Sequence, residues 1–185
     1  MSETVLQFQI EGQRVKLRRP TLADKDEFIA LMQQSKELHH PWCFPPDNEE
    51  AFENYLKSRD QENYDGFLLC HAQTHAIIGV INVNNIVRGW FQSAYLGYYI
   101  GAPYARKGYM KEALMLAVRY AFTGLKLHRL EANIQPDNHA SIALVRSCGF
   151  RKEGFSPRYL KVGREWKDHE RWAILADEVL TSIGM

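Results

Sequence analysis

The chain has 185 residues, 45% hydrophobic and 24% charged, with a formal net charge of +1 at pH 7. That length supports one substantial core in a single domain spanning residues 1–185, and the mixed, nearly balanced charge excludes a general nucleic-acid binder, which needs a concentrated basic face. No apolar run reaches membrane-spanning length, and Cys43, Cys70 and Cys148 are odd in number without metal or redox spacing, so a cytoplasmic protein with reduced thiols is expected.

The opening stretch, MSETVLQFQIEG, is not patterned as a signal peptide. Residues 7–10 and 15–17 alternate around Glu11-Gly12 and predict a hairpin or a strand with a turn. Thr21 and Asp24 stand at capping-box spacing ahead of a helix reaching residue 34, with Phe28, Ile29, Leu31 and Met32 inward. Residues 38–47 form a loop rich in His, Trp and Pro, which reads either as a wall of an acceptor site or as a loop packed over the core. Asp47 or Asn48 then caps a second helix to residue 59, with Phe52, Tyr55 and Leu56 inward.

Strands are predicted over 67–72, 76–82 and 94–100, with a loop at 84–91 carrying Arg88, Gly89 and Trp90. In 94–100, Leu96, Tyr98 and Ile100 share one face and Tyr95, Gly97 and Tyr99 the other, which marks a strand covered on both sides. A basic loop at 102–108 leads into a helix over 111–122 with Ala113, Leu114, Ala117, Val118 and Ala121 inward and Gly124 as its stop. A strand at 128–134, a short helix from Asn138 to Gly149, strands at 150–155 and 158–162, a turn at Gly163 and a final strand at 164–175 complete the chain. The order β-α-α-β-β-β-α-β-α-β-β predicts an α/β (α+β) fold around a mixed, mostly antiparallel sheet.

The strand–loop–helix at 97–121 is the chemical centre of the chain. Loop amides and first-turn amides lack intrahelical acceptors, the helix end carries partial positive charge, and Arg106, Lys107 and Lys111 add full charges. A phosphate or diphosphate suits such a site. The glycine pattern alone is weak: Gly108 stands where a dinucleotide fingerprint has three glycines, and no G-x-x-x-x-G-K-[ST] occurs. A solvated basic loop explains this stretch equally well.

The run Asn138-His139-Ala140-Ser141, followed by a short helix and Gly149-Phe150, changes that balance. The phosphate loop and this run together resemble the GNAT family of acetyl-CoA-dependent N-acetyltransferases, over nearly the whole chain. Within it, Asn84-Asn85-Ile86-Val87-Arg88-Gly89 and Tyr95-Leu96-Gly97-Tyr98 resemble the RimJ/RimL-type ribosomal-protein-alanine N-acetyltransferases. Ala105 and Met110 depart from the family's usual loop residues. Because such a loop binds mainly through its backbone, weakened consensus rather than lost binding is expected.

The resemblance implies a GNAT fold whose strand before the loop bulges and splays from the next strand. The backbone of Tyr98, Tyr99 and Ile100 would then pair with the pantetheine of acetyl-CoA, and a free amide would stabilise the thioester oxyanion. The diphosphate would lie on Arg106, Lys107, Gly108, Tyr109, Met110 and Lys111, and Asn138 would contact the pantetheine. Ser141 matches the serine expected to protonate the departing thiolate, whereas the position of the family's helix tyrosine is Val145. Ser141 acting only as a helix cap is the competing reading.

The acceptor must be a neutral amine. Deprotonation at pH 7 costs roughly 1 kcal/mol for an α-amine and about 4.6 for a lysine. No carboxylate lies in 94–100, and Glu131 is the nearest candidate base, with a water relay as the alternative. This favours an α-amine acceptor, and the RimJ/RimL-like tracts imply that it is the N-terminus of an alanine-first ribosomal protein, on or off the ribosome. The 38–44 segment, the 84–91 loop with Arg88 and Trp90, and the final hairpin would line its groove. A small amine acceptor such as a polyamine, and a non-catalytic coenzyme-binding or ribosome-assembly module, are the alternatives. The scattered histidines imply no metal site.

Overall fold

The computed structural model describes residues 9–58 and 61–180. Positions 7, 8 and 59, included in the expected first strand and second helix, lie outside the described residues. The elements are β1 (Gln9–Glu11), β2 (Val15–Arg18), α1 (Lys25–Gln34), α2 (Lys36–His39), α3 (Glu49–Lys57), β3 (Asp65–His71), β4 (Ile77–Val87), β5 (Ser93–Ile100), α4 (Tyr109–Thr123), β6 (Arg129–Ile134), α5 (His139–Ser147), β7 (Arg151–Val162), β8 (Glu165–Leu175) and α6 (Ala176–Leu180). The strands form one eight-stranded sheet in the order β1-β2-β3-β4-β5-β6-β8-β7. Every neighbouring pair is antiparallel except β5 and β6. No helix among the described residues is long and apolar enough to cross a membrane.

Side-chain alternation along the central strands builds a core on each face of the sheet. Phe67 and Leu69 of β3 join one core with α4 and α5, while Leu68 and Cys70 join the other with α1 and α3. On β5, Leu96, Tyr98 and Ile100 pack toward α4 and Tyr99 toward α1, as the alternation predicts. The α4 stripe of Ala113, Leu114, Ala117, Val118 and Ala121 is wholly buried. Three alanines in that stripe let the helix axis approach the sheet closely.

The start of α1 is tied to β2 by one carboxylate. Asp24 accepts from the Thr21 amide at 2.7 Å and from the Thr21 hydroxyl at 2.9 Å, which realises the expected capping box. It also takes both terminal nitrogens of Arg18, at 2.5 and 2.9 Å. Burial alone would raise the Asp24 pKa, but the bonds from Arg18 and Thr21 outweigh it and hold the group below its ordinary value. A depressed carboxylate contributes stability that is present above its unfolded pKa and is lost as pH falls through the folded one. Asp24→Asn is therefore expected to cost about 3 kcal/mol, because it strands a half-buried guanidinium. In urea melts the gap between variant and parent is widest near pH 7 and closes below pH 4.

Several boundaries differ from expectation. The segment 84–91 is not all loop: β4 continues to Val87, and pairing with β5 resumes at Val87↔Ser93 after an irregularity. Asn85 absorbs that irregularity at φ 49°. The two strands expected at 150–155 and 158–162 are one strand, β7, broken in register between Ser156 and Leu160. Arg158 takes φ 46° there, and its amide is satisfied by Asp168 Oδ1 at 2.7 Å. The long helix begins two residues early, at Tyr109, and the short helices α2 and α6 were not anticipated. Asn48, not Asp47, caps α3, through Ala51 N at 3.0 Å.

Candidate active site

The parallel pair parts in mid-sheet. β5 and β6 are paired only at Ser93↔Arg129, Ala94↔Leu130 and Tyr95↔Glu131, although β5 runs on to Ile100 and β6 to Ile134. Each stays bound to its other neighbour, β5 to β4 as far as Ile100↔Gly79 and β6 to β8 as far as Ile134↔Glu170. The result is a wedge. Gly101 N bonds the Ile78 carbonyl at 2.9 Å, so by antiparallel alternation the Tyr99 backbone also faces β4 while those of Tyr98 and Ile100 face the wedge. The register from Leu96 to Ile100 is regular; the free edge comes from the splay and not from the bulge expected there. An extended chain with amide groups suits such an edge.

At the mouth of the wedge lies the basic loop. Arg106 (φ 60°) and Gly108 (φ 80°) are both left-handed, on either side of Lys107. The backbone N–H groups of Arg106 through Lys111 have no hydrogen-bond acceptor among the described residues; the first amide to bond back is Glu112, to the Gly108 carbonyl at 3.3 Å. Consecutive unsatisfied amides at a helix start make a concave anion cradle. Its outer side is braced by Arg14, which donates to the Lys107 carbonyl at 3.0 Å and to Glu112 at 3.0 Å. Its inner side is set by α1: the Ser35 hydroxyl accepts from Ala102 N at 2.8 Å, and a side chain at Gly101 would meet Leu31 at 2.5 Å. Wedge and cradle open into one cleft of about 640 Å³.

On the α4 side of the wedge, the Asn138 side chain caps α5 by accepting from Ser141 N at 3.1 Å. Ser141 is thus not itself the cap. Its hydroxyl lies 2.6 Å from the Tyr98 hydroxyl, and both line the cleft. Burial pushes the Tyr98 phenol well above its ordinary pKa, only partly offset by Ser141, so the pair is protonated at neutral pH and has a hydrogen to give. Val145 is wholly buried in the core; the tyrosine hydroxyl at this site comes from a strand instead.

Three comparisons bear on this geometry. The acetyltransferase (GNAT) domain profile matches residues 14–151. The chain belongs to the GNAT acetyltransferase family. It is an acetyl-CoA-dependent N-acetyltransferase. The ribosomal protein uS5-alanine N-acetyltransferase of Escherichia coli is 46% identical over 147 residues, covering 80% of this chain and 75% of the relative. The spermidine N(1)-acetyltransferase of Vibrio cholerae is 26% identical over 159 residues, covering 83% and 88%. Among solved structures, Mycobacterium smegmatis RimJ in complex with CoA-disulfide superposes with a TM-score of 0.79 at 25% identity, over 92% of this chain and 89% of that one.

Of the residues expected to hold acetyl-CoA in this GNAT fold, Tyr98, Tyr99, Ile100, Arg106, Gly108, Met110, Lys111 and Asn138 line the cleft, as does Ser141. Lys107 and Tyr109 do not. The Lys107 ammonium bonds the Pro103 carbonyl at 2.7 Å, and the Tyr109 ring packs under the Arg14 guanidinium and against His71; only their amides face the cradle side of the chain. Glu131 also stays out, held by Arg129 Nε at 2.8 Å. Arg88 bonds the Leu125 carbonyl, and Trp90 is fully exposed beyond the paired end of β5, so the 84–91 loop does not line the groove.

The α1 side of the GNAT wedge carries the 38–44 segment expected there, together with two groups that sequence reading missed, Asn133 and His169. Trp42 and Cys43 line it, and so do His39, Asn133 and His169. His39 Nε2 bonds the Ile100 carbonyl at 2.8 Å, and burial, against that bond, lowers its pKa. Burial pushes the Cys43 thiol up to about 11. The loop at 38–47 is thus both core cover and cleft wall. In the sequence His169 reads only as an isolated histidine without metal-ligand company, and strand alternation alone does not show that β8 lies beside β6.

Proposed function

We propose that this enzyme transfers the acetyl group of acetyl-CoA to the N-terminal α-amine of a ribosomal protein whose first residue is alanine. The observation that carries the reading is that, among the described residues, no Asp or Glu lines the cleft. A polyamine brings several positive charges and needs carboxylates to meet them, whereas an α-amine brings one and loses it at low cost. In the acidic cluster of residues 47–50, Asp47 is engaged with Lys36 at 2.8 Å and Glu49 with Lys25 at 3.1 Å. The uS5-alanine N-acetyltransferase, at 46% identity, supports the same acceptor. The three cysteines stand as free thiols, which suits the reducing cytoplasm where ribosomal proteins are made.

In this reading the loop amides hold the diphosphate, the Tyr98 backbone and the Ile100 amide orient the pantetheine, and the amine approaches from the α1 side. The Tyr98–Ser141 hydroxyl pair supplies the proton that the departing sulfur takes. Mass spectrometry on two alanine-first peptides with an internal lysine, one free and one blocked at its N-terminus, tests the acceptor. A single acetyl on the free peptide and none on the blocked one is expected. Equal labelling of both, or faster labelling of spermidine, overturns it.

A further inference from the structure

The sheet divides the cleft into two sides. Ala132 and Ile134 of β6 pack into the core shared with α4 and α5. Asn133, between them, faces the other way. Its partner in β8 is Arg171, and His169 lies two residues along on the same strand face, at a diagonal spacing of about 7–8 Å. The side of the wedge that holds Tyr98 and Ser141 has hydrogens to give. On the side that holds Asn133 and His169, Asn133 Oδ1 and His169 Nε2 present lone pairs. Asn133 Oδ1 is buried with no hydrogen-bond partner among the described residues. His169 is 3% exposed, and its Nδ1 lies 2.9 Å from the Lys167 carbonyl. A carbonyl can only accept, so Nδ1 carries the ring proton and Nε2 keeps its lone pair. Adjacent acceptors without donors in a cleft call for N–H groups, and an amine supplies them.

We infer that His169, through Nε2, is the general base of the transfer, and that Asn133 Oδ1 holds the acceptor amine beside it. This rests on the amine-acetylating reading of the cleft but not on which amine is used. The neutral amine nitrogen attacks the thioester carbonyl carbon and the N–C bond forms. The nitrogen, now positive, gives one proton to His169 Nε2. The C–S bond breaks, and the sulfur takes a proton from the Tyr98–Ser141 pair. The imidazolium releases its proton to water as the amide leaves, and the hydroxyl pair regains one from solvent. Burial lowers the His169 pKa against the opposing pulls of the Lys167 carbonyl and Asp168, so the ring is neutral at pH 7. Facing it are Lys167 and Arg171 on its own strand, Tyr159 of β7 with ring centroids 6.2 Å apart, uncharged Asn133 of β6, and the thiol of Cys43 and the ring of His39 elsewhere on the cleft wall. His39 has its Nε2 engaged at Ile100, where it braces the wedge.

The test uses steady-state kinetics on an alanine-first peptide. In the wild type, log kcat/KM falls below pH 6.5 with the steepness of two protons, one from the amine and one from His169. In His169→Gln it falls with the steepness of one, and kcat at pH 7 drops about 100-fold. Acetyl-CoA affinity, measured by calorimetry, stays unchanged, and added imidazole restores part of the rate to His169→Ala. Three results overturn the assignment: kcat within about threefold of wild type, an unchanged acid limb in His169→Gln, or loss of that limb in His39→Gln instead. Should neither His169 variant fold, the wild-type profile decides, and a one-proton limb overturns it. If the wild type acetylates spermidine and not the peptide, the ribosomal-protein acceptor fails, and the same profiles on spermidine judge His169.

Discussion

Ser141→Ala is expected to lower kcat by about 100-fold, Tyr98→Phe by a comparable amount, and the double variant by little more than either alone. The two hydroxyls lie 2.6 Å apart, so one donates to the other and only one hydrogen of the pair faces the cleft. Removing either partner leaves a hydroxyl without its neighbour's polarisation and breaks the route by which the proton is replaced. Residues acting as one proton path give non-additive losses, whereas two independent contacts to the coenzyme would multiply. The acetyl-CoA dissociation constant should stay within about threefold of wild type, because the diphosphate cradle supplies the affinity through charge-assisted bonds. Single-turnover rates and calorimetry on all four proteins check this. An unchanged kcat in Ser141→Ala, with a large loss in Tyr98→Phe, would make the phenol the direct donor and the serine an adjunct.

The pair also shows what a sequence conveys about a site. Ser141 was legible because Asn138-x-x-Ser141 is local: helix start, cap and hydroxyl fall within one turn. Tyr98 was legible as a residue on one face of a covered strand, but its reach to α5 spans 43 positions, which no local pattern encodes. The wedge is similar. The apolar faces of β5 and the stripe of α4 follow from period two and period 3.6. That β5 and β6 part after Tyr95 follows only from how β8 and β4 pull on their outer edges, and it was expected through the family resemblance alone.

Where local reading erred, it mistook a detour for an end. Asn84-Asn85 and Pro157 are turn and breaker residues, so β4 was stopped early and β7 was split. Both positions are irregular, with Asn85 and Arg158 left-handed. In each case the ladder resumes beyond, because the partner strand continues and, in the β7 detour, Asp168 satisfies the displaced Arg158 amide. His169 shows the opposite limit. Its fixed tautomer depends on a carbonyl two residues away, but its free nitrogen matters only because β8 is laid beside β6.

Gly108→Val should raise the acetyl-CoA dissociation constant by about 100-fold to 10,000-fold while the protein stays folded. The Gly108 φ of 80° is one that a β-branched residue resists, and holding it there costs of order 1–3 kcal/mol. Space is not the obstacle, since an added Cβ meets only the end of the Arg14 side chain at 3.2 Å. The chain relieves that strain by turning the peptide units on either side of residue 108, which swings the amides of Gly108 and Tyr109 out of line with those of Met110 and Lys111. Two charge-assisted bonds at about 1.5–3 kcal/mol each are then lost. Arg106→Ala, which removes a cleft-lining charge at a solvent-exposed position, should cost about 1 kcal/mol or less and fade with added salt. Lys107→Ala should change affinity by less than about twofold, since its ammonium is engaged with the Pro103 carbonyl outside the cleft. Calorimetry with coenzyme A at two salt concentrations separates the three. If Lys107→Ala weakens binding more than Gly108→Val does, the coenzyme is held by side-chain charge, and the row of main-chain donors is not its seat.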